Sequence, residues 1–344
     1  MRRRIEDVLR RSWRGEPGLG PTLAAVVATP LALLYRGAVG ARNAAFDRGL
    51  LRVERPPVPV LSVGNLAVGG TGKTPFAAWL ARTLADHGLD PALVARGYGE
   101  DELRLHRRWN PDVPVHAHRD RPAATRRAAE GGARCVVLDD GFQHRRLARD
   151  LDVVLLAAEQ PFPDRLLPRG RWREPASALT RADAVVVTRK SATEAEAETR
   201  AAHAADAAPA ALLVRVDLEP GPWTDLDGEA VDEPGGDVLA VTGVAGPDSF
   251  AGVVAKVTGE PPELMAFPDH HDYDAGDAER ITRAAGPRPV VTTEKDAVKL
   301  TGLRKLLPDV HVLPLVVRPG RGAEELIERA RAAVEAGPRW EEQP

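Results

Sequence analysis

A single cysteine, Cys135, occurs in 344 residues, so no disulfide can close within the chain. That usage fits a reducing compartment, and Cys135 lies in an apolar run where cysteine acts as a small core residue. Aromatic residues are scarce at 4%; with the abundance of Ala, Arg and Gly, this reads as genome bias rather than function. Net charge is only −3, which implies no general affinity for nucleic acid. Lysine is rare beside arginine, confined to Lys73, Lys190, Lys256, Lys295, Lys299 and Lys305. No internal repeat is visible. What is present, 43% hydrophobic and 28% charged residues, describes a soluble protein long enough for two domains, each with its own core.

Residues 60–75 read VLSVGNLAVGGTGKTP, an apolar strand running into a glycine-rich loop that ends in Gly-Lys-Thr. Positions 67–74 spell A-x-x-x-x-G-K-T, a P-loop with Ala in its first position. Ala67, Val68, Gly69, Gly70, Thr71 and Gly72 form the cradle, whose glycines let backbone N–H groups wrap a triphosphate. Lys73 sets a point charge on the outer phosphates, and the Thr74 hydroxyl can hold Mg²⁺. Pro75 opens a helix over 76–86, where a missing N–H costs nothing, and the helix aims its N-terminus at the phosphates. One of the few lysines therefore falls at the one place this loop uses one.

Strand patterns follow at 58–63, 91–95, 134–139, 152–157, 184–188 and 211–216, separated by helical stretches. Continuous apolar runs alternating with helices predict a parallel sheet covered on both faces, a doubly wound α/β domain with ligands at the carboxyl ends of its strands. Residues 217–237 are rich in Pro, Gly and acids and read as a hairpin linker. A second, smaller α/β pattern then has strands at 238–242, 289–293 and 310–317 and helices at 247–257, 275–285 and 323–336. The Ala-rich stretch 192–208 reads as a solvated helix without chemistry. The expected division is an N-terminal segment 1–55, a P-loop domain 56–225 and a smaller domain 226–344.

Residues 1–55 carry eleven Arg against five acids, about +6, which leaves the rest near −9. Within them the uncharged stretch 17–35 is barely long enough to span a membrane, and Pro17, Pro21 and Pro30 weaken a span further. Three readings remain: an interfacial helix with its apolar face in lipid and flanking Arg on anionic headgroups, a helix packed on the main domain, or a true span. A signal peptide conflicts with the P-loop, since nucleoside triphosphates are absent outside the cytoplasm.

CVVLDDGFQH at 135–144 has the form of a Walker B strand, four apolar residues followed by acid, placing Asp139 and Asp140 where a carboxylate reaches the metal of a bound nucleotide. Together with ARGYG at 95–99, LDDGFQHRRLARDLDVVLL at 138–156, LPRGRWREP at 167–175, FPDHHDY at 267–273 and VVTTEKDAVKL at 290–300, the P-loop closely resembles the tetraacyldisaccharide 4′-kinase (lipid A 4′-kinase) family over about residues 20–320. The resemblance implies ATP- and Mg²⁺-dependent phosphorylation of the 4′-hydroxyl of a tetraacylated glucosamine disaccharide 1-phosphate, giving the bisphosphorylated lipid A precursor. It implies a P-loop α/β domain with a smaller α/β domain and the site in the cleft between them. It also implies that the apolar N-terminal helix docks on the cytoplasmic face of the bacterial inner membrane. The partners expected are the lipid A disaccharide precursor and the membrane surface, with no nucleic acid and no obligatory protein partner.

The resemblance also assigns roles. An Asp paired with a His serves as base in the family; the Asp lies in a G-D-E-P stretch, here Gly99-Glu100-Asp101-Glu102-Leu103 without its Pro. Asp101 matches best, with Glu100 and Glu102 as rivals, and His270 rather than His271 matches the partner. Glu174 resembles a family acid near the metal, so Thr74, Asp139 and Glu174 are the expected metal residues, and Lys73 and Asp140 join Asp101 and His270 in catalysis. Arg121, His144, Arg171 and Arg173 are candidates to meet phosphate or acceptor; His144 could equally be structural and the Arg group a solvated loop. Lys295 and Asp296 are candidates to order the interdomain surface. Two other function classes remain in view: a membrane-associated P-loop switch that hydrolyses nucleotide without a lipid acceptor, and a soluble P-loop kinase or ligase that leaves the N-terminal segment without a role.

Overall fold

Apolar five- to seven-residue runs bounded by Gly, Pro and Asp form the centre of the molecule. The computed structural model describes residues 16–97, 100–244, 246–269 and 271–339, with residues 8, 12 and 13. The principal sheet has eight strands: β1 (Val60–Asn65), β2 (Pro91–Ala95), β3 (Val115–Ala117), β4 (Cys135–Asp139), β5 (Leu151–Ala157), β6 (Ala184–Arg189), β7 (Leu212–Pro220) and β12 (Leu315–Pro319). Their spatial order is β12-β7-β6-β5-β1-β4-β2-β3, every pair parallel except β12 on β7. β1, β2, β4 and β5 are buried at every residue, as a sheet covered on both faces requires.

One face carries α2 (Lys73–Asp86) and α9 (Ala323–Ala336), whose Phe76, Leu80, Leu326 and Ala330 pack on Leu61, Val63 and Val137. The other face carries α4 (Arg121–Glu130) and α5 (Glu194–Ala207), through Ala124 and Ala128 in one cluster and Ala197, Ala201 and Ala204 in another. α5 begins in a complete capping box, with Thr193 and Glu196 satisfying each other's backbone donors. It is thus one-sided rather than wholly solvated: its alanines are core, and Arg200 is buried with its guanidinium on the Ala158 carbonyl.

The smaller sheet has the order β11-β10-β8-β9, all parallel, from β8 (Leu239–Thr242), β9 (Glu263–Ala266), β10 (Val290–Thr293) and β11 (Val310–Leu313). Its helices are α6 (Pro247–Thr258), α7 (Ala275–Ala285) and α8 (Glu294–Leu300). The stretch expected as one strand at 310–317 is two strands in two different sheets. Pro314 separates them: without an N–H it cannot continue a ladder, and after it the chain crosses back to pair β12 with β7. Residues 315–336 therefore belong to the large sheet and its covering layer, where the sequence placed them with the smaller domain.

α1 (Leu19–Asp47) runs 29 residues with Pro30 inside it, about 43 Å long at 1.5 Å per residue. Leu19, Leu23, Val26, Val27, Leu31, Leu33 and Leu34 are all largely exposed, and at 100° per residue they share an arc of roughly 160°. Pro21, Ala28 and Phe46 on the opposite side are buried. A helix packed on the main domain by its apolar stripe is thus not what forms; the stripe faces outward.

Candidate functional site

β1 delivers the glycine-rich loop to the carboxyl edge of the large sheet. Gly69, Gly70 and Gly72 have φ of 76°, 71° and 80°, left-handed values that a side chain would resist. At Gly72 a Cβ would also meet Leu218 Cδ1 at 2.3 Å. Helix α2 starts at Lys73, two residues before the position expected from Pro75. The loop is braced from below: Asn65 Nδ2 donates to Thr71 Oγ1 at 2.7 Å, Thr188 Oγ1 to the Thr71 carbonyl at 3.0 Å, Gln160 Nε2 to the Gly69 carbonyl at 3.2 Å and Lys190 Nζ to the Gly70 carbonyl at 3.1 Å. Those contacts occupy carbonyls and side chains rather than the N–H groups an anion would use; of the expected cradle, Val68 has its N–H taken by the Arg171 carbonyl.

β4 lies beside β1 with Asp139 in register with Val63. The strand ends there, and Asp140 leaves it at φ 58°, a conformation that costs a non-glycine residue energy and clusters at functional sites. The two carboxylates consequently diverge. Asp140 lies 3.4 Å from Lys73 Nζ and accepts from Arg173 at 2.8 and 3.0 Å. Burial pushes its carboxyl upward, but Lys73, Arg173 and Arg121 outweigh that and hold it at about 2. Asp139 is 3% exposed; its Oδ2 is 3.1 Å from His106 Nε2, and its Oδ1 is buried without a hydrogen-bond partner.

Asp101 and Glu102 come from the first turn of α3 (Glu100–Trp109). Asp101 is buried, with Lys299 Nζ 3.4 Å from its Oδ2. Burial, and then the charge of Asp139, raise the Glu102 carboxyl, which sets Glu102 against the Walker B acid. Lys299 also donates to the His271 carbonyl at 3.1 Å, bringing His271 to Asp101. His270, and the side chain of Glu100, lie outside the described residues. The His271 ring is engaged elsewhere, 2.6 Å from Asp277.

Several expected site residues are otherwise occupied. Arg121 is 3% exposed and spends its guanidinium on the carbonyls of Asp139 (2.8 Å) and Val94 (3.3 Å), locking β2 to β4. Glu174, 2% exposed, accepts from Asn43 of α1 at 2.6 Å and from Arg181 at 2.9 and 3.1 Å; it ties α1 to the main domain. Arg173 does reach the site, and its backbone holds the P-loop: its N–H donates to the Leu66 carbonyl at 2.7 Å. Arg171 contributes its carbonyl to the Val68 N–H at 2.9 Å. His144 is partly buried, its Nε2 without a partner, and burial with Arg121, Arg149 and Arg146 nearby pushes its imidazole down to about 4. Sequence reasoning missed His106, Lys190 and Gln160, each of which announces itself only through a tertiary contact.

No cluster of three His, Cys, Asp or Glu side chains able to hold a metal unaided occurs among the described residues. Magnesium does not need one, since it takes one or two carboxylates and completes its shell with phosphate oxygens and water. The hard oxygen donors Thr74 and Asp139, the latter with an orphaned buried oxygen, fit such a shared site.

The sequence profile of the family described as tetraacyldisaccharide-1-P 4′-kinase matches residues 24–107 and 100–333. A tetraacyldisaccharide 4′-kinase of Anaeromyxobacter dehalogenans strain 2CP-C is 41% identical over 329 residues, covering 84% of each chain. That of Halorhodospira halophila is 38% identical over 319 residues, 87% of this chain and 90% of the relative. Among solved structures, the "apo" form of LpxK from Aquifex aeolicus in complex with ATP superposes with a TM-score of 0.70 at 31% identity, covering 89% of this chain and 98% of that one.

Proposed function

The chain belongs to the tetraacyldisaccharide-1-P 4′-kinase family, and we propose that it transfers the γ-phosphoryl group of ATP to the 4′-hydroxyl of a tetraacylated glucosamine disaccharide 1-phosphate, giving the bisphosphorylated lipid A precursor. The observation that carries this reading is a convergence. The P-loop, Lys73, Asp139 and Asp140 meet at one sheet edge, and Asp101, next in sequence to the Glu102 that feels the charges of Asp139 and Lys73, is joined through Lys299 to the smaller domain.

Phosphoryl transfer asks mainly for positioning and charge neutralisation. The N–H groups of residues 69–74 and the Lys73 ammonium hold the triphosphate, and Asp140 with Arg173 keeps Lys73 aimed at it. When bound, Mg²⁺ supplies charge neutralisation to the phosphates, and Thr74 and Asp139 would hold it. Asp101, with His270 as the partner the sequence assigns, accepts the proton of the 4′-hydroxyl. As the sugar oxygen bonds to the γ-phosphorus, the bond to the β–γ bridging oxygen breaks and ADP leaves. Glu174 and Arg121 serve as braces in this scheme rather than as ligands.

The acceptor carries four acyl chains, and α1 presents an apolar face on the same molecule. The exposed portion, residues 19–34, is about 24 Å long, short of the ~30 Å hydrocarbon core. Tyr35, Arg42 and Asn43 beyond it are already bonded to the main domain. α1 therefore lies on the membrane rather than through it, on the cytoplasmic face of the bacterial inner membrane where ATP is available. The family match favours transfer to a lipid acceptor over a hydrolytic switch. The test is transfer of γ-labelled phosphate from ATP to the lipid disaccharide in detergent micelles. Label appearing in the lipid supports the reading; hydrolysis of ATP at the same rate with and without acceptor, and an unlabelled lipid, contradicts it.

A further inference from the structure

His106 is 0% exposed, carried on the last turn of α3 among arginines. A histidine fully removed from water needs a reason, because its ring nitrogens lose their hydration. One nitrogen has a partner: Nε2 is 3.1 Å from Asp139 Oδ2. The other, Nδ1, is buried without one. An unbonded lone pair is cheaper to bury than an unbonded N–H, so the proton belongs on Nε2, donated to Asp139. The ring is held from the side by Trp109, edge to face with centroids 6.1 Å apart. Asn110 then pins the end of α3 to the P-loop helix through the Ala78 carbonyl at 3.0 Å.

The acid at the other end of this bond is equally constrained. Arg121 fixes the Asp139 backbone through its carbonyl at 2.8 Å, while the side chain has one bonded oxygen and one buried oxygen with no bond at all. We propose that His106 is a positioning residue of the kinase site: by holding Oδ2 it fixes the rotation of the Asp139 carboxylate and reserves Oδ1 for the divalent cation that accompanies the triphosphate. Ligating carboxylates are themselves generally hydrogen-bonded, and losing such an outer partner typically weakens metal binding about 10- to 100-fold. The inference rests on the nucleotide-site reading given above.

The experiment separates the donor from the bulk of the ring. ATP affinity is measured by calorimetry, with saturating Mg²⁺ and again with EDTA, for the parent chain, H106L and H106Q. Glutamine can place an N–H donor near the position of Nε2; leucine fills the space without one. H106L should lose about tenfold or more of the Mg²⁺-dependent gain in ATP affinity, with affinity in EDTA changed less than about twofold, and H106Q should keep the gain. Should H106L not fold, H106N, whose shorter amide cannot reach Oδ2, replaces it with the same expectation. Equal Mg²⁺ coupling in all variants, or a loss in H106Q matching that in H106L, overturns the role. A parent chain that binds ATP no better with Mg²⁺ than with EDTA contradicts the metal-site reading and this inference with it.

Discussion

At Asp140 burial and neighbouring charge compete, and their sizes decide the outcome. Burial disfavours its charge, yet Lys73 at 3.4 Å and a two-contact Arg173 hold the carboxyl at about 2. With its folded value depressed below the ordinary 3.8, Asp140 contributes stability that is complete above that value and lost only as pH falls through about 2. It is ionised wherever the enzyme works. Lys73→Ala removes the charge on the outer phosphates and leaves Asp140 paired with Arg173. The variant should melt within a few degrees of the parent while turnover falls by at least ~10²–10³-fold; near-normal turnover in the transfer assay would remove Lys73 from the mechanism. His144 has the same sign of linkage in a higher pH window. Its folded imidazole sits near 4 against 6.5 when free, through burial and then Arg121, Arg149 and Arg146. Between pH 6.5 and 4 the unfolded chain takes up a proton the folded chain refuses, so stability drains as pH falls through that window and is unaffected above it. His144→Gln should flatten the dependence of melting temperature on pH there; an unchanged slope would assign the loss to other groups. The P-loop and Asp139-Asp140 were legible because residue type and spacing are the chemistry. The engagements of Glu174 with Asn43 and Arg181, and of Arg121 with two carbonyls, were not, because their partners lie up to 131 residues away in sequence.

Elements divide in the same way. β1, β2, β4, β5 and β6 coincide closely with apolar runs, since strands buried on both faces must be apolar throughout. β3 and α3 carry no such signal: the first is three residues long and the second is mostly charged, its burial supplied by neighbours. At 310–317 the apolar pattern was right about strand and wrong about continuity, because a pattern of period does not show which sheet each half joins. α1 shows what an amphipathic stripe alone leaves open. Its apolar arc excludes neither core nor lipid; the inward contacts of Tyr35, Arg42 and Asn43 settle which side the protein already holds. Burying an exposed Leu or Val in lipid is worth about 1.5–3 kcal/mol, so three charges on that arc are a severe test. The combined variant Leu23→Glu, Val27→Glu and Leu34→Glu should melt like the parent and lose most of its sedimentation with anionic vesicles. Parent-like sedimentation would place membrane contact elsewhere.

Across the whole molecule the two sheets meet through α3 and α8. Trp109 Nε1 donates to Glu294 at 2.6 Å, Arg108 to the carbonyls of Leu226 and Asp225 at 3.1 and 3.2 Å, and Lys299 links Asp101 to residue 271. The TEKDAVK segment is thus the joint of the molecule: Glu294 and Lys299 face α3, while Asp296 accepts from Thr242, Gly243 and Tyr273 inside the smaller unit. On the proposed reaction, a nucleotide on the P-loop and the acid at the joint would place acceptor chemistry where both sheets can reach it. The most direct measurement is a crystal structure with an unreactive ATP analogue and Mg²⁺. The triphosphate should lie across residues 69–74 with Lys73 on its outer phosphates, Asp139 Oδ1 on the metal side, and Asp101 facing the γ-phosphate across the cleft. Nucleotide bound away from this loop, or a γ-phosphate turned away from Asp101, would contradict the account.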